Sequence, residues 1–330
     1  MSTGGTDMRA ALLDGPGALR IGALPVPDPG PGQVRVRVEA CGLNPVDYQV
    51  AAAAPADWTF PHVLGLDVVG VVDAAGEDVP DVRPGERVAY HGDLRRRGGF
   101  AEFALADAAV LAPVPAGVDP VSAACLPAAG MTAYQALVRR LHVGADDVVL
   151  ITAAAGGVGG FAVQLARLLG ARVLATASER NAEHVRRLGA DEVIDYRVED
   201  VAARVRELTG GRGVDAVVDT VGPESATANL RLLAHGGGLA AVAGRPDPTA
   251  VAPFTLAPSV HEIALGAAYS SGDERSRADL PVMLAELLGL LESGRVEPML
   301  NRAVALAELP AALDELAGRH VRGKLVLAFG

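Results

Sequence analysis

One run, VVLITAAAGGVGGFAVQLARLLGA at residues 148–171, narrows the possible folds more than any other part of the chain. It passes from a continuous apolar stretch, through a glycine-rich turn, into a segment whose apolar residues recur at helical spacing. Within it Ala154-Ala155-Gly156-Gly157-Val158-Gly159 is a G-x-G-x-x-G pattern with alanine in the first position. Gly156 lets the backbone come close to a pyrophosphate, and Gly159 lets helix and strand pack closely. The helix N-terminus adds free N–H groups and the positive end of a dipole. Ala155, Gly156, Gly157, Val158 and Gly159 are therefore expected to cradle the phosphates of a dinucleotide. A turn of this composition can also merely join strand to helix, so its surroundings decide.

Those surroundings are a βαβ series. From about residue 123, apolar strands alternate with amphipathic helices, the rhythm of a parallel sheet. Six strands are predicted, in DVVLITA, ARVLATA, EVIDY, VDAVVDTV, GGLAAVAG and EIALGAAY, with RPDPTAVAPFTLAPS before the last as a loop. Such a set makes one doubly wound, dinucleotide-sized domain over 123–271. Before it, residues 9 to about 120 read as short apolar runs cut by proline and glycine, the pattern of a compact β unit. There VRVRV alternates with period two, which turns Val34, Val36 and Val38 to a core and Arg35 and Arg37 to water. After Ser271 come a helix, DLPVMLAELLGLLESG, and a closing strand, GKLVLAF, taken to return to the first domain. The expected architecture is thus α/β, with domain one at 1–122 and 272–330; the leader MSTGGTD reads as a disordered tail and Met8 as an alternative start. A chain of 330 residues exceeds a usual single core, in keeping with two.

Composition excludes some partners. A formal net charge of -11 argues against nucleic acid, whose phosphates need a basic surface. Two cysteines, no signal peptide and no apolar run long enough to cross a bilayer fit a cytoplasmic protein that neither spans nor coats a membrane. Lys324 is the sole lysine in a chain that otherwise uses arginine.

The form of the cofactor depends on the end of the second strand, where an acidic side chain about 20 residues beyond the loop would hold a ribose 2′-hydroxyl. That place is Ser178, in TASERN. Serine does not repel a 2′-phosphate, and Arg180 offers paired N–H donors to one, so NADPH is expected. Glu179, turned inward, would instead favour NAD.

Over nearly its full length the chain resembles the medium-chain dehydrogenase/reductase superfamily, above all its zinc-free quinone oxidoreductase (zeta-crystallin-like) and enoyl reductase branch. The residues that carry the likeness are CGLNPVD, VLGLDVVGVV, GGFAEF, LPAAGMTAY, AAGGVG, LGADEVIDY and GKLVL. The resemblance implies a GroES-like β-barrel catalytic domain beside a Rossmann doubly wound parallel-sheet domain. Zinc-dependent members carry Gly-His-Glu after the first cysteine; here Gly65-Leu66-Asp67 stands there, and the clustered cysteines of a structural zinc are missing. No metal is therefore expected. Cys41 reads as a small buried hydrophobe, Asp67 as structural, and His62 and His91 as hydrogen-bonded surface residues.

Without a Lewis acid, hydride transfer needs an acceptor activated by its own conjugation, a quinone or an enone, and neutral hydrogen-bond donors for the oxygen that gains charge. By resemblance Asn44 lies beside the nicotinamide and is the first candidate for catalysis and cofactor contact. Tyr48 is the second: a phenol keeps its proton at neutral pH, although many relatives place a tyrosine one position later. Asp47 is expected to hold the loop. Thr132 is assigned to the nicotinamide end, Tyr196 to the adenine and its phosphate, and the backbone around Gly244 and Tyr269 to the carboxamide. Lys324, in the family's GK position, is placed against the cofactor. Arg95–Arg97 would meet an anionic carrier or else form a solvated loop tip. The implied function is an NADPH-dependent, zinc-independent reductase of a small quinone or enone, acting as a homodimer. The alternatives are an enoyl reductase of acyl-CoA or carrier-bound chains, and a non-catalytic NADPH-binding protein.

Overall fold

The computed structural model describes residues 7–329 apart from Asp57. Most of the leader lies outside the described residues; Asp7, its last residue, already opens a strand, and Met8 beside it is buried. The chain forms two units, one of residues 1–128 with 266–330, the other of 129–265.

The first stretch lays down a hairpin, β1 (Asp7–Leu13) and β2 (Leu19–Pro25), then β3 (Gln33–Gly42), β4 (Asp67–Ala75), β5 (Arg87–His91), β6 (Phe103–Asp107) and β7 (Ala112–Pro113). In β3 the alternation holds: Val34, Val36 and Val38 are buried while Arg37 is exposed and Arg35 half-buried, pairing with Asp73. After the second unit the chain returns to the first with a helix, Glu274–Glu292, and then β14 (Leu300–Val304) and β15 (Lys324–Ala328), with a helix at Leu309–Ala317 between them. The sheet order is β14-β15-β3-β4-β5-β7, with β6 also paired to β3. β15 meets the C-terminal end of β3, with Val326 opposite Gly42 and Leu327 opposite Cys41. That pairing brings residues near the two ends of the sequence to one spot.

The second unit lies between, with β8 (Val148–Ile151), β9 (Arg172–Ala177), β10 (Glu192–Asp195), β11 (Val214–Asp219), β12 (Leu233–Ala241) and β13 (Ser259–Glu262). The order β10-β9-β8-β11-β12-β13 is parallel throughout, that of a dinucleotide-binding sheet. Its core includes Leu150, Leu174, Ile194, Val217 and Leu239 from successive strands. The first five predicted strands are found. The sixth is not EIALGAAY but the preceding SVHE, registered from Gly238↔Ser259 to Ala241↔Glu262. An edge strand with exposed side chains, Val260 among them, carries little apolar signal, and the apolar run after it drew the assignment forward. β14 and the Leu309–Ala317 helix were not foreseen either.

Candidate functional site

In the second unit β8 ends at Ile151, and the helix Gly157–Leu168 begins after a turn held by strands on both sides. Ala153 N–H donates to Thr176 Oγ1 (3.2 Å) and Ala154 N–H to the Thr176 carbonyl (3.0 Å). On the other side Thr220 N–H donates to Thr152 Oγ1 at 2.9 Å, and Thr220 Oγ1 to the Thr152 carbonyl at 3.0 Å. The tight turn falls on Ala153, whose φ of 46° is left-handed. A Cβ on Gly159 would lie 2.5 Å from the Ala153 carbonyl oxygen, so this glycine is what allows helix and turn to touch. Gly156 is the N-cap, and Gly157 and Val158 open the helix, where N–H groups have no acceptor within it. Ala155 is buried beneath them. These residues fit a pyrophosphate. The threonine clamps were not visible in the sequence, because single threonines at strand ends have no distinguishing spacing.

At the end of β9, Ser178 is buried at the N-cap position of the helix Glu179–Leu188, without a side-chain capping hydrogen bond, while Arg180 is exposed in its first turn. Tyr196, after β10, is 52% exposed with the Arg197 guanidinium 5.9 Å from its ring centre. Asp195 was missed. Its carboxylate accepts from Glu179 N–H at 3.0 Å and Arg197 N–H at 3.0 Å, and so joins the ends of β9 and β10.

In the first unit the buried polar groups gather at the end of β3. The Lys324 ammonium donates to the Leu43 carbonyl (2.8 Å), Asn44 Oδ1 (2.5 Å) and Asp67 Oδ2 (3.3 Å). Asp67 Oδ1 accepts from Ala128 N–H at 2.9 Å. Asn44 stands at the N-cap of the helix Pro45–Ala52, where Asp47 Oδ2 accepts its backbone N–H at 2.7 Å. Asp47 thus holds the loop, but it is buried with Oδ1 unpartnered. Burial, aided by the Asp67 charge and opposed by the Asn44 N–H and Lys324, pushes its carboxyl up to about 7. Burial also raises the Cys41 thiol well above its ordinary range and the Cys125 thiol to about 12.

Several expectations need correction. Lys324 is not free to meet a cofactor: an ammonium has three N–H donors, and three protein oxygens take them. Tyr269 is not on the last parallel strand. It lies in a short helix, Ala267–Ser270, of the first unit, with its hydroxyl donating to the His91 carbonyl and its own carbonyl taken by Arg95 Nη2 at 2.8 Å. His62 and His91 are buried, not surface residues; burial lowers the pKa of both, and His62 stacks on Trp58 at 4.0 Å. Arg95, Arg96 and Arg97 are exposed but tethered, to Asp93, Asp107 and the Pro61 carbonyl respectively. Of the remaining candidates, Tyr48 is half-buried on the helix Pro45–Ala52, and Thr132 half-buried on the helix Pro127–Tyr134. Gly244 has a φ of 135° beside Pro223, a conformation side chains rarely adopt.

Comparison with known proteins agrees with this architecture. Residues 30–116 match the family model for an alcohol dehydrogenase GroES-like domain, and 157–287 that for a zinc-binding dehydrogenase. The quinone oxidoreductase of Sus scrofa is 31% identical over 311 residues, covering 92% of this chain and 91% of its own length. The chain belongs to the medium-chain dehydrogenase/reductase superfamily. A superfamily structure from Novosphingobium aromaticivorans superposes with a TM-score of 0.90 at 33% identity, covering 98% of this chain and all (100%) of that one. The Streptomyces orinoci spectinabilin polyketide synthase system protein NorB is 38% identical over 294 residues, 88% of this chain but only 13% of that protein. As a superfamily member the chain binds a nicotinamide cofactor, which suits the clamped glycine turn.

Zinc, implied by the second family model, does not suit the first unit. Leu66 replaces histidine, and Asp67 is engaged by Lys324 and Ala128. Among the described residues no three His, Cys, Asp or Glu side chains form a group able to hold a metal ion.

Proposed function

We propose that this chain is an NADPH-dependent, zinc-independent reductase that delivers hydride to a quinone or a conjugated enone. The observation carrying the reading is the Lys324 network. At the end of β3 a buried ammonium is saturated by protein oxygens and engages Asp67, which supports a reaction that needs no Lewis acid to polarise an isolated carbonyl. An acceptor conjugated to its own carbonyl needs none. NADPH held at the glycine turn would supply a hydride to the conjugated acceptor, whose oxygen would gain the charge. Asn44 and Tyr48 are then the donors for that oxygen, and a proton from solvent completes the reduction. Ser178, Arg180 and Tyr196 support the choice of NADPH, since none repels a 2′-phosphate and Arg180 attracts it. Thr132 and Gly244 are assigned to the nicotinamide end.

The identity to polyketide synthase proteins favours a second reading, enoyl reduction of a carrier-bound or CoA-linked chain. NADPH oxidation measured with a benzoquinone, a small cyclic enone and an enoyl thioester separates the two. Turnover of the first pair is expected, whereas turnover of the thioester alone would select the second reading. Tight NADPH binding with no acceptor reduced would replace both by a non-catalytic role. Brisk oxidation of a saturated alcohol, lost on chelation, would overturn the zinc-free assignment. A homodimer through β13, an edge strand with Val260 exposed, is also proposed, and sedimentation of a Val260→Lys variant tests it. A reducing cytoplasm is the compartment that suits its cysteines.

A further inference from the structure

Asn44 sits where an asparagine ordinarily caps a helix by turning its side-chain oxygen onto the first-turn N–H groups. It does not do so here. Its Oδ1 is turned instead to Lys324 Nζ, 2.5 Å away, from a residue 280 positions further along the chain. An ammonium only donates, so the atom facing it must be the oxygen, and the amide nitrogen must point the other way. That nitrogen has a single contact, the Gly42 carbonyl at 3.5 Å, the outer limit of a hydrogen bond. The side chain is nevertheless nearly enclosed, at 6% exposure. Buried donors are normally satisfied, so a poorly satisfied NH2 group on a fixed amide points to a ligand that completes it. The ammonium is fixed in turn by Asp67, itself anchored to Ala128 N–H.

We propose that Lys324 is a positioning residue whose ammonium locks the Asn44 amide in one orientation and makes Asn44 an obligate hydrogen-bond donor to the reacting carbonyl oxygen. The inference rests on the reductase reading above and adds a direction to it: an amide free to flip would present an acceptor half the time, and an acceptor repels the oxygen that gains charge. The sequence position of Lys324 thereby acquires a reason, since a compact ammonium reaches three converging oxygens that a planar guanidinium would not satisfy alike.

The chain has only four asparagines, at 44, 181, 229 and 301, so selective 15N-asparagine labelling resolves the amide directly. The Asn44 pair is assigned by its disappearance in Asn44→Asp. In a Lys324→Met/Asp67→Ser double variant, which removes both charges together and adds no asparagine, that pair is expected to shift while the other three stay. Turnover is followed with NADPH and a cyclic enone. Asn44→Asp keeps a partner for the ammonium and loses the donor, so kcat should fall about 100-fold or more. The double variant should lose about tenfold in kcat with NADPH affinity, read by fluorescence, within about twofold of the parent; Lys324→Arg should recover part of the loss. An unmoved Asn44 signal, or a folded double variant with unchanged kcat, overturns the proposal. A parent protein inactive on every acceptor instead sinks the reductase reading, and the amide spectrum still reports whether the lock exists.

Discussion

In the second unit the groups suited to a ligand are backbone N–H bonds of consecutive residues, Gly157 to Gly159, steadied by Thr152, Thr176 and Thr220 on neighbouring strands. In the first unit the corresponding group is one amide side chain, steadied by a lysine 280 residues away and an aspartate beyond it. The first arrangement depends on the absence of side chains and is written in one short run. The second depends on charge and burial and exists only after β15 has paired with β3. Substitutions should therefore act differently in the two places: steric in one, electrostatic in the other.

The largest effect is expected from Lys324→Met alone. It leaves the Asp67 charge buried without a partner, which should cost about 3–5 kcal/mol of stability. Denaturant unfolding checks this, and a loss below about 1 kcal/mol would mean that the fold tolerates removal of the ammonium and that the contrast is overstated.

Asp47 offers a pH-resolved version of the same test. Its carboxyl ordinarily titrates at 3.8 and is raised to about 7 in the fold, mainly by burial. The folded unit therefore keeps a proton that the unfolded chain releases. The stability this contributes is complete below about pH 4 and lost as pH rises through 7, on the order of 4 kcal/mol at most. Asp47→Asn should remove that slope, so the variant gains on the parent between pH 5 and 8. Parallel melting curves across the range would show the carboxylate ionised throughout.

Gly159→Ala addresses the steric side. Its Cβ would press on the Ala153 carbonyl, and about 1–3 kcal/mol should be lost. Because the phosphates at this turn are common to both cofactors, affinity for NADPH and NADH should fall together. Arg180→Ala should have the smallest effect, about tenfold weaker NADPH binding, or roughly 1.4 kcal/mol, with NADH unaffected. Equal weakening of both would transfer the discrimination to Asp195 and the residues it holds.

The same contrast explains what could be read in advance. Five strands of the parallel sheet and the glycine turn were legible because their causes are local: apolar runs, helical periodicity and a missing Cβ at Gly159. So was the alternation in β3. The sixth strand escaped because an edge needs no apolar face, and Tyr269 was misplaced along with it. Lys324 could be singled out as the sole lysine, but its three oxygens could not, since Leu43, Asn44 and Asp67 meet it only through long-range pairing. His62 and His91 looked like surface residues because nothing near them in sequence announces burial.

Both cysteines and the one lysine lie inside the fold, with Cys41 and Cys125 fully covered and Lys324 at 4% exposure. Quinones and enones arylate or alkylate thiolates and amines by conjugate addition. On the proposed reading the acceptors are such electrophiles, and neither thiol and no lysine amine of this chain stands on the exterior to meet them.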